Sequence, residues 1–104
     1  MLKMYDAQEM AMETLNQLGG ALKLKTMIGA KYIHWDYEGA ISFRFSGNRK
    51  INHVKINIES DDTYKFTFYK ISKYDYSVTH EISGVYNSQL RYVFTEITGL
   101  DLLI

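Results

Sequence analysis

The rhythm of hydrophobic and polar positions changes twice along the chain. From Asp6 to Leu18, Ala7, Met10, Ala11, Thr14, Leu15 and Leu18 recur at spacings of three and four, which gathers them on one face of a helix. Asp6 and Glu9 stand where an N-terminal cap and its capping-box partner belong. Together with Glu13 they put negative charge near the positive end of the helix dipole. Gly19-Gly20 ends the helix, because glycine accepts the left-handed backbone found just past a helix end. Leu22, Leu24 and Thr26 then alternate with Lys23 and Lys25, the rhythm of a short edge strand or an extended connection. Met27-Ile28-Gly29-Ala30 reads as a tight loop.

The period then becomes two. Lys31 to Tyr37 is aromatic-rich and strand-like, and Glu38-Gly39 closes it in a turn. Ile41, Phe43 and Phe45 alternate with Ser42, Arg44 and Ser46, and a loop follows at Ser46 to Lys50. Val54, Ile56 and Ile58 alternate with Lys55, Asn57 and Glu59. After the turn Ser60-Asp61-Asp62, Tyr64, Phe66 and Phe68 alternate with Lys65, Thr67 and Tyr69. Two such runs joined by so short a polar segment predict an antiparallel hairpin. A further strand is expected from about Tyr76 to Ile82, punctuated by Gly84.

The helical period returns in Leu90, Val93, Phe94 and Ile97, with Val85 and Tyr86 extending the stripe backwards and Gly99 as its stop. Leu100, Leu102, Leu103 and Ile104 form an apolar tail that must pack. The pattern predicts one α+β domain spanning residues 1–104: an antiparallel sheet of four to five meandering strands, flanked by an N-terminal and a C-terminal helix, in the order α-β-β-β-β-β-α. Both helices should cover the apolar face formed by Ile41, Phe43, Phe45, Val54, Ile56, Ile58, Tyr64, Phe66 and Phe68.

Composition narrows the chemistry. The 104 residues include no cysteine and no proline, which excludes disulfides, thiolate metal sites and a thiol nucleophile. Twelve Lys and Arg balance twelve Asp and Glu, so net charge gives no pull toward nucleic acid. No apolar run approaches the ~20 residues that span a bilayer, and the N-terminus lacks the apolar stretch of a signal peptide, so a cytoplasmic protein is expected.

Three histidines, His34, His53 and His80, are of the one side-chain type whose ordinary pKa lies near neutrality, but none lies three or four residues from another. His34 and Asp36, at i and i+2 on a strand, share a face on which a carboxylate can orient an imidazole, but a solvated or partly buried strand histidine is the plainer reading. Asp61-Asp62 with Glu59 is acidic but lacks the Asp-x-Asp-x-Asp-Gly framework of a calcium loop, and a hairpin turn accounts for it. Neither a phosphate-cradling glycine loop nor a Gly-x-Ser-x-Gly elbow is present. The expectation is a non-enzyme with no cofactor and no metal.

Charge is nevertheless segregated. Residues 1–22 carry net −2, residues 23–55 net +5 and residues 56–104 net −3. Arg44, Lys55 and Lys65 fall on the polar side of their strands beside Thr67 and Tyr69, and Arg49 and Lys50 sit in the adjoining loop. A basic sheet face bearing tyrosines is one way of holding single-stranded nucleic acid. An antiparallel sheet with one wet face also carries Lys, Thr and Tyr there in any case. Nine tyrosines, among them Tyr69, Tyr74 and Tyr76, suit a protein interface, and ordinary strand propensity in a β-rich chain accounts for much of their excess.

Gln17-Leu18-Gly19-Gly20, Met27-Ile28-Gly29-Ala30-Lys31, Ile41-Ser42-Phe43, Asp62-Thr63-Tyr64 and Gly84-Val85-Tyr86 through Thr98-Gly99-Leu100 form a pattern that resembles a family of short accessory proteins of bacteriophages and mobile elements. The likeness runs from about Leu15 to Leu100 and carries no assigned activity. It implies a phage or mobile-element accessory protein acting inside a bacterial cell. Small, cysteine-free, non-catalytic domains of that kind often occupy a host protein's surface, so the expected role is stoichiometric inhibition of a host protein or defence ribonucleoprotein, of the anti-CRISPR type. The partner-binding residues expected are Arg44, Arg49, Lys50, Lys55, Lys65, Tyr69, Tyr74 and Tyr76. A small nucleic-acid-binding module using the same face is the alternative, no membrane partner is expected, and homodimerisation stays open.

Overall fold

The computed structural model describes residues 4–103. Two helices, α1 (Met4–Gln17) and α2 (Ala21–Ile28), precede five strands, and a third, α3 (Leu90–Thr98), follows them. The strands are β1 (Lys31–Trp35), β2 (Ile41–Arg44), β3 (His53–Ile58), β4 (Tyr64–Ile71) and β5 (Tyr76–Val85). They form one sheet in the order β1-β2-β3-β4-β5, every neighbouring pair antiparallel. The fold is α+β, as the sequence pattern predicts.

The register confirms the two faces. Phe43 pairs with Val54 and Val54 with Phe68; Ile41 pairs with Ile56 and Ile56 with Phe66. These residues form the buried face, with Ile58 packed partly exposed at its margin. Ala7, Ala11, Thr14, Leu15 and Leu18 of α1 and the residue after it are buried, and so are Leu90 and Phe94 of α3. Phe94 anchors α3 with its ring centroid 6.0 Å from Phe43, 5.2 Å from Phe45 and 6.2 Å from Phe68. Of the apolar tail, Leu102 is buried, and its N–H donates to Thr95 Oγ1 at 3.0 Å. Leu103 is exposed, and Ile104 lies outside the described residues.

Four expectations need correction. Residues 21–28 are helical rather than a strand or loop. Leu24 and Ile28, four apart, are the buried pair of α2, whereas Leu22 points to solvent, so the apparent alternation mixes an inward with an outward leucine. Gly29 ends α2 at φ 65°, a conformation that favours glycine, and lets the Ala30 N–H reach back to the Leu24 carbonyl at 3.1 Å. Three helices therefore cover the sheet instead of two.

Next, α1 is already helical at Met4, the first described residue, which puts Asp6 within the helix rather than at its cap, still near the positive end of the dipole. Finally, Val85 closes β5 instead of joining the last helix. Tyr86 sits at the start of a short 3-10 turn, its N–H donating to Gln89 Oε1 at 3.2 Å.

Candidate functional site

With all three helices on one side, the sheet's other face is open. Across it run two rows of paired residues: Ser42, Lys55, Thr67 and Glu81, and Arg44, His53, Tyr69 and Val78. Lys31 pairs with Arg44 and His34 with Ser42, which brings β1 onto the same face. The polar positions read from β2, β3 and β4 therefore do converge.

Toward the β4–β5 hairpin end of this face lies an aromatic group. The Tyr69 ring meets His53 edge-on at 5.7 Å and Tyr76 at 6.2 Å. These three, with Ser42, Lys55 and Ile71, line a shallow depression of about 300 Å³. Tyr76 is 67% exposed, and Val78 beside it is also exposed. Burial, then the charges of His34 and Arg44, lower the pKa of His53 from its ordinary value.

The bases are not equivalent. Lys55 Nζ lies 3.6 Å from Asp36 and Lys65 Nζ 3.7 Å from Glu81, so two of the sheet-face lysines have their charge offset within the molecule. Arg44 has no such partner among the described residues. Arg49 and Lys50 stand off the ladder, on the β2–β3 loop. Asn48 orders that loop: its amide donates to the Thr98 carbonyl of α3 at 2.8 Å, and its Oδ1 accepts from the N–H groups of Lys50 and Ile51. Tyr74 occupies the tip of the β4–β5 hairpin, where Lys73 Nζ sits 5.2 Å from its ring centre. Of the eight residues singled out from sequence, the fold brings Arg44, Lys55, Lys65, Tyr69 and Tyr76 together and holds Arg49, Lys50 and Tyr74 at two separate loops.

Sequence reasoning passed over His53, Ile71, Val78 and Lys31. His53 and Ile71 each lie two residues from a chosen position on the same strand, so the period of two already put them on this face. Lys31 was hidden by a break in register between Lys31 and His34, where Tyr32 takes φ 56°. That left-handed conformation costs a non-glycine residue about 1–2 kcal/mol.

The other candidates resolve into local structure. His34 Nδ1 lies 2.8 Å from the Tyr32 carbonyl oxygen, while Asp36 accepts from the N–H groups of Glu38 and Ala40 and pairs with Lys55. No His34–Asp36 hydrogen bond forms. Asp61 accepts from the Thr63 N–H at 3.1 Å and the Thr63 hydroxyl at 2.6 Å, bonds that lower its pKa and fix the hairpin turn. Among the described residues no cluster of three or more His, Asp or Glu is arranged to hold a metal, and no helix is long and apolar enough to cross a membrane. Comparison with family models, curated proteins and solved structures gave no match.

Proposed function

We propose that this chain acts by binding another protein stoichiometrically, docking through the open face of its sheet around Tyr69, Tyr76 and His53. The carrying observation is the aromatic group of half-buried His53 and Tyr69 and exposed Tyr76 on the sheet face that the helices leave uncovered. Tyrosines supply large contact area at low entropic cost and dominate protein interfaces. Lys65, paired with Glu81, stands at the polar margin of this group, while Lys55, offset by Asp36, lines the depression itself. The resemblance to phage and mobile-element accessory proteins supports a bacterial host protein as partner, with a defence ribonucleoprotein as the first to try.

The nucleic-acid reading uses the same face and is weakened by the two ion pairs, which offset part of its charge. Binding assays separate the two. With a protein partner, Tyr76→Ala should weaken binding by about 1–2 kcal/mol or more, with little dependence on salt. With single-stranded nucleic acid, neutralising Arg44, Lys55 and Lys65 together should flatten the salt slope by up to about two units, at ~0.7 per phosphate contact. Oligonucleotide anisotropy below about 100 μM should show no binding, since that concentration is the weak end of ordinary non-specific association. Tight, salt-sensitive oligonucleotide binding would contradict the protein-docking reading.

A further inference from the structure

We propose that the corner where the end of α2 meets β1 and β2 is a binding site for a terminal phosphate group, held by Lys31, Arg44 and Ser46. The inference is independent of the protein-docking reading. Lys31 and Arg44 stand opposite one another in the antiparallel register, an arrangement in which like charges oppose folding. The lysines farther along this face, Lys55 and Lys65, each have a carboxylate beside them; among the described residues Lys31 and Arg44 have none within 4.0 Å. Both bases line one depression of about 250 Å³, together with Ser46, Gly29, Tyr32 and Phe45. The left-handed glycine that ends α2 forms one wall beside Ser46, whose Oγ would lie in ordinary van der Waals contact, 3.6 Å, with a Cβ at that position. The strained Tyr32 forms another, and its backbone conformation is what interrupts the β1–β2 register beside Lys31.

The donor set selects the anion. A phosphomonoester near neutral pH carries a charge of about −1.5 to −2 and three strong acceptor oxygens. Opposite it stand two cations and three donor groups: the fork of a guanidinium, an ammonium and a hydroxyl. A carboxylate brings a single charge and would leave one of the two bases uncompensated. The mutual repulsion of Lys31 and Arg44, a cost in the empty site, becomes attraction to a shared dianion in the filled one.

Amide-resolved NMR titration of the whole chain with inorganic phosphate tests this, against chloride at equal ionic strength and about pH 7.5, above the second phosphate pKa of about 6. Phosphate should give a saturable shift confined to Gly29, Ala30, Lys31, Tyr32, Arg44, Phe45 and Ser46, with Kd on the order of 1–10 mM. A nucleoside 5′-monophosphate should shift the same amides. Lys31→Gln and Arg44→Gln, exposed substitutions that remove a repulsion and leave the rest of the spectrum in place, should each weaken binding about fivefold or more. Lys65→Gln should leave it unchanged. Shifts no larger than those from chloride would overturn the proposal, and so would shifts that persist in both glutamine variants. Tighter binding at these residues by an oligonucleotide with a 5′-hydroxyl, which offers only diester phosphates, would overturn the assignment of a terminal phosphate.

Discussion

Phe66 is fully buried on β4, its ring stacked on Phe68 with centroids 5.6 Å apart and its backbone paired on both sides, with Ile56 and Ile82. Removing the ring should cost about 3–5 kcal/mol, most of it from the cavity left among side chains that cannot close in. Urea denaturation of Phe66→Ala checks this; a midpoint equal to the parent's would mean the register is shifted by one residue. His53 gives a second prediction at this scale. Its folded-state pKa is lowered by burial, and then by His34 and Arg44. As pH falls below about 6.5, the unfolded chain therefore takes the proton first and stability drops, levelling off below the folded-state pKa. Above that window both states are neutral and the effect vanishes. Denaturation midpoints between about pH 5 and 8 should show that loss, and His53→Gln should remove part of it. Superimposable profiles for parent and variant would contradict the account. Inward and outward residues were readable because the strand period is two and the buried face is almost wholly apolar. The partners of individual charges were not, since they depend on which strands lie side by side.

At the scale of elements, α2 and β5 are where local pattern and structure part. A short segment offers few periods, and in residues 22–25 two leucines alternating with two lysines fit a strand as well as a helix. Packing decides it: Leu24 is 0% exposed and Leu22 is 76% exposed. Leu24→Ala should cost about 2–5 kcal/mol. Leu22→Ala should change stability by no more than about 0.5 kcal/mol. Comparable losses at both positions, read from thermal or urea unfolding, would contradict the helix. Strand β5 contains two breaks in register, one between the partners of Phe68 and Tyr69 and one between those of Tyr64 and Phe66. Thr79, the extra residue at the first, turns its hydroxyl to the Phe68 carbonyl at 3.2 Å, and Gly84 supplies φ 70° at the second. Such bulges bend an exposed edge strand away from regular pairing with other edges. The first brings Glu81 onto the face of Tyr76 and Val78 and turns His80 and Ile82 to the other side, where unbroken alternation would have kept all four of Tyr76, Val78, His80 and Ile82 together.

For the whole molecule, the segregation of charge along the sequence and the distribution of charge over the folded surface differ. The +5 segment spreads over α2, β1, β2, the β2–β3 loop and β3, and folding sets Asp36 beside Lys55. Lys65, outside that segment, meets Glu81 of the neighbouring strand. What the fold creates, and no window of sequence displays, is an open sheet face with tyrosines at its β4–β5 hairpin end and one uncompensated pair of bases at its corner. Site-specific photocrosslinking in the proposed bacterial host tests the docking claim most directly. A crosslinking residue is placed at position 76 of the open face or at position 92, which replaces a tyrosine of comparable exposure, 57%, on α3 of the helical side. The account predicts a discrete protein adduct from position 76 that is lost when Tyr69→Ala is added, with none from position 92. An adduct from position 92 and none from position 76 would contradict it.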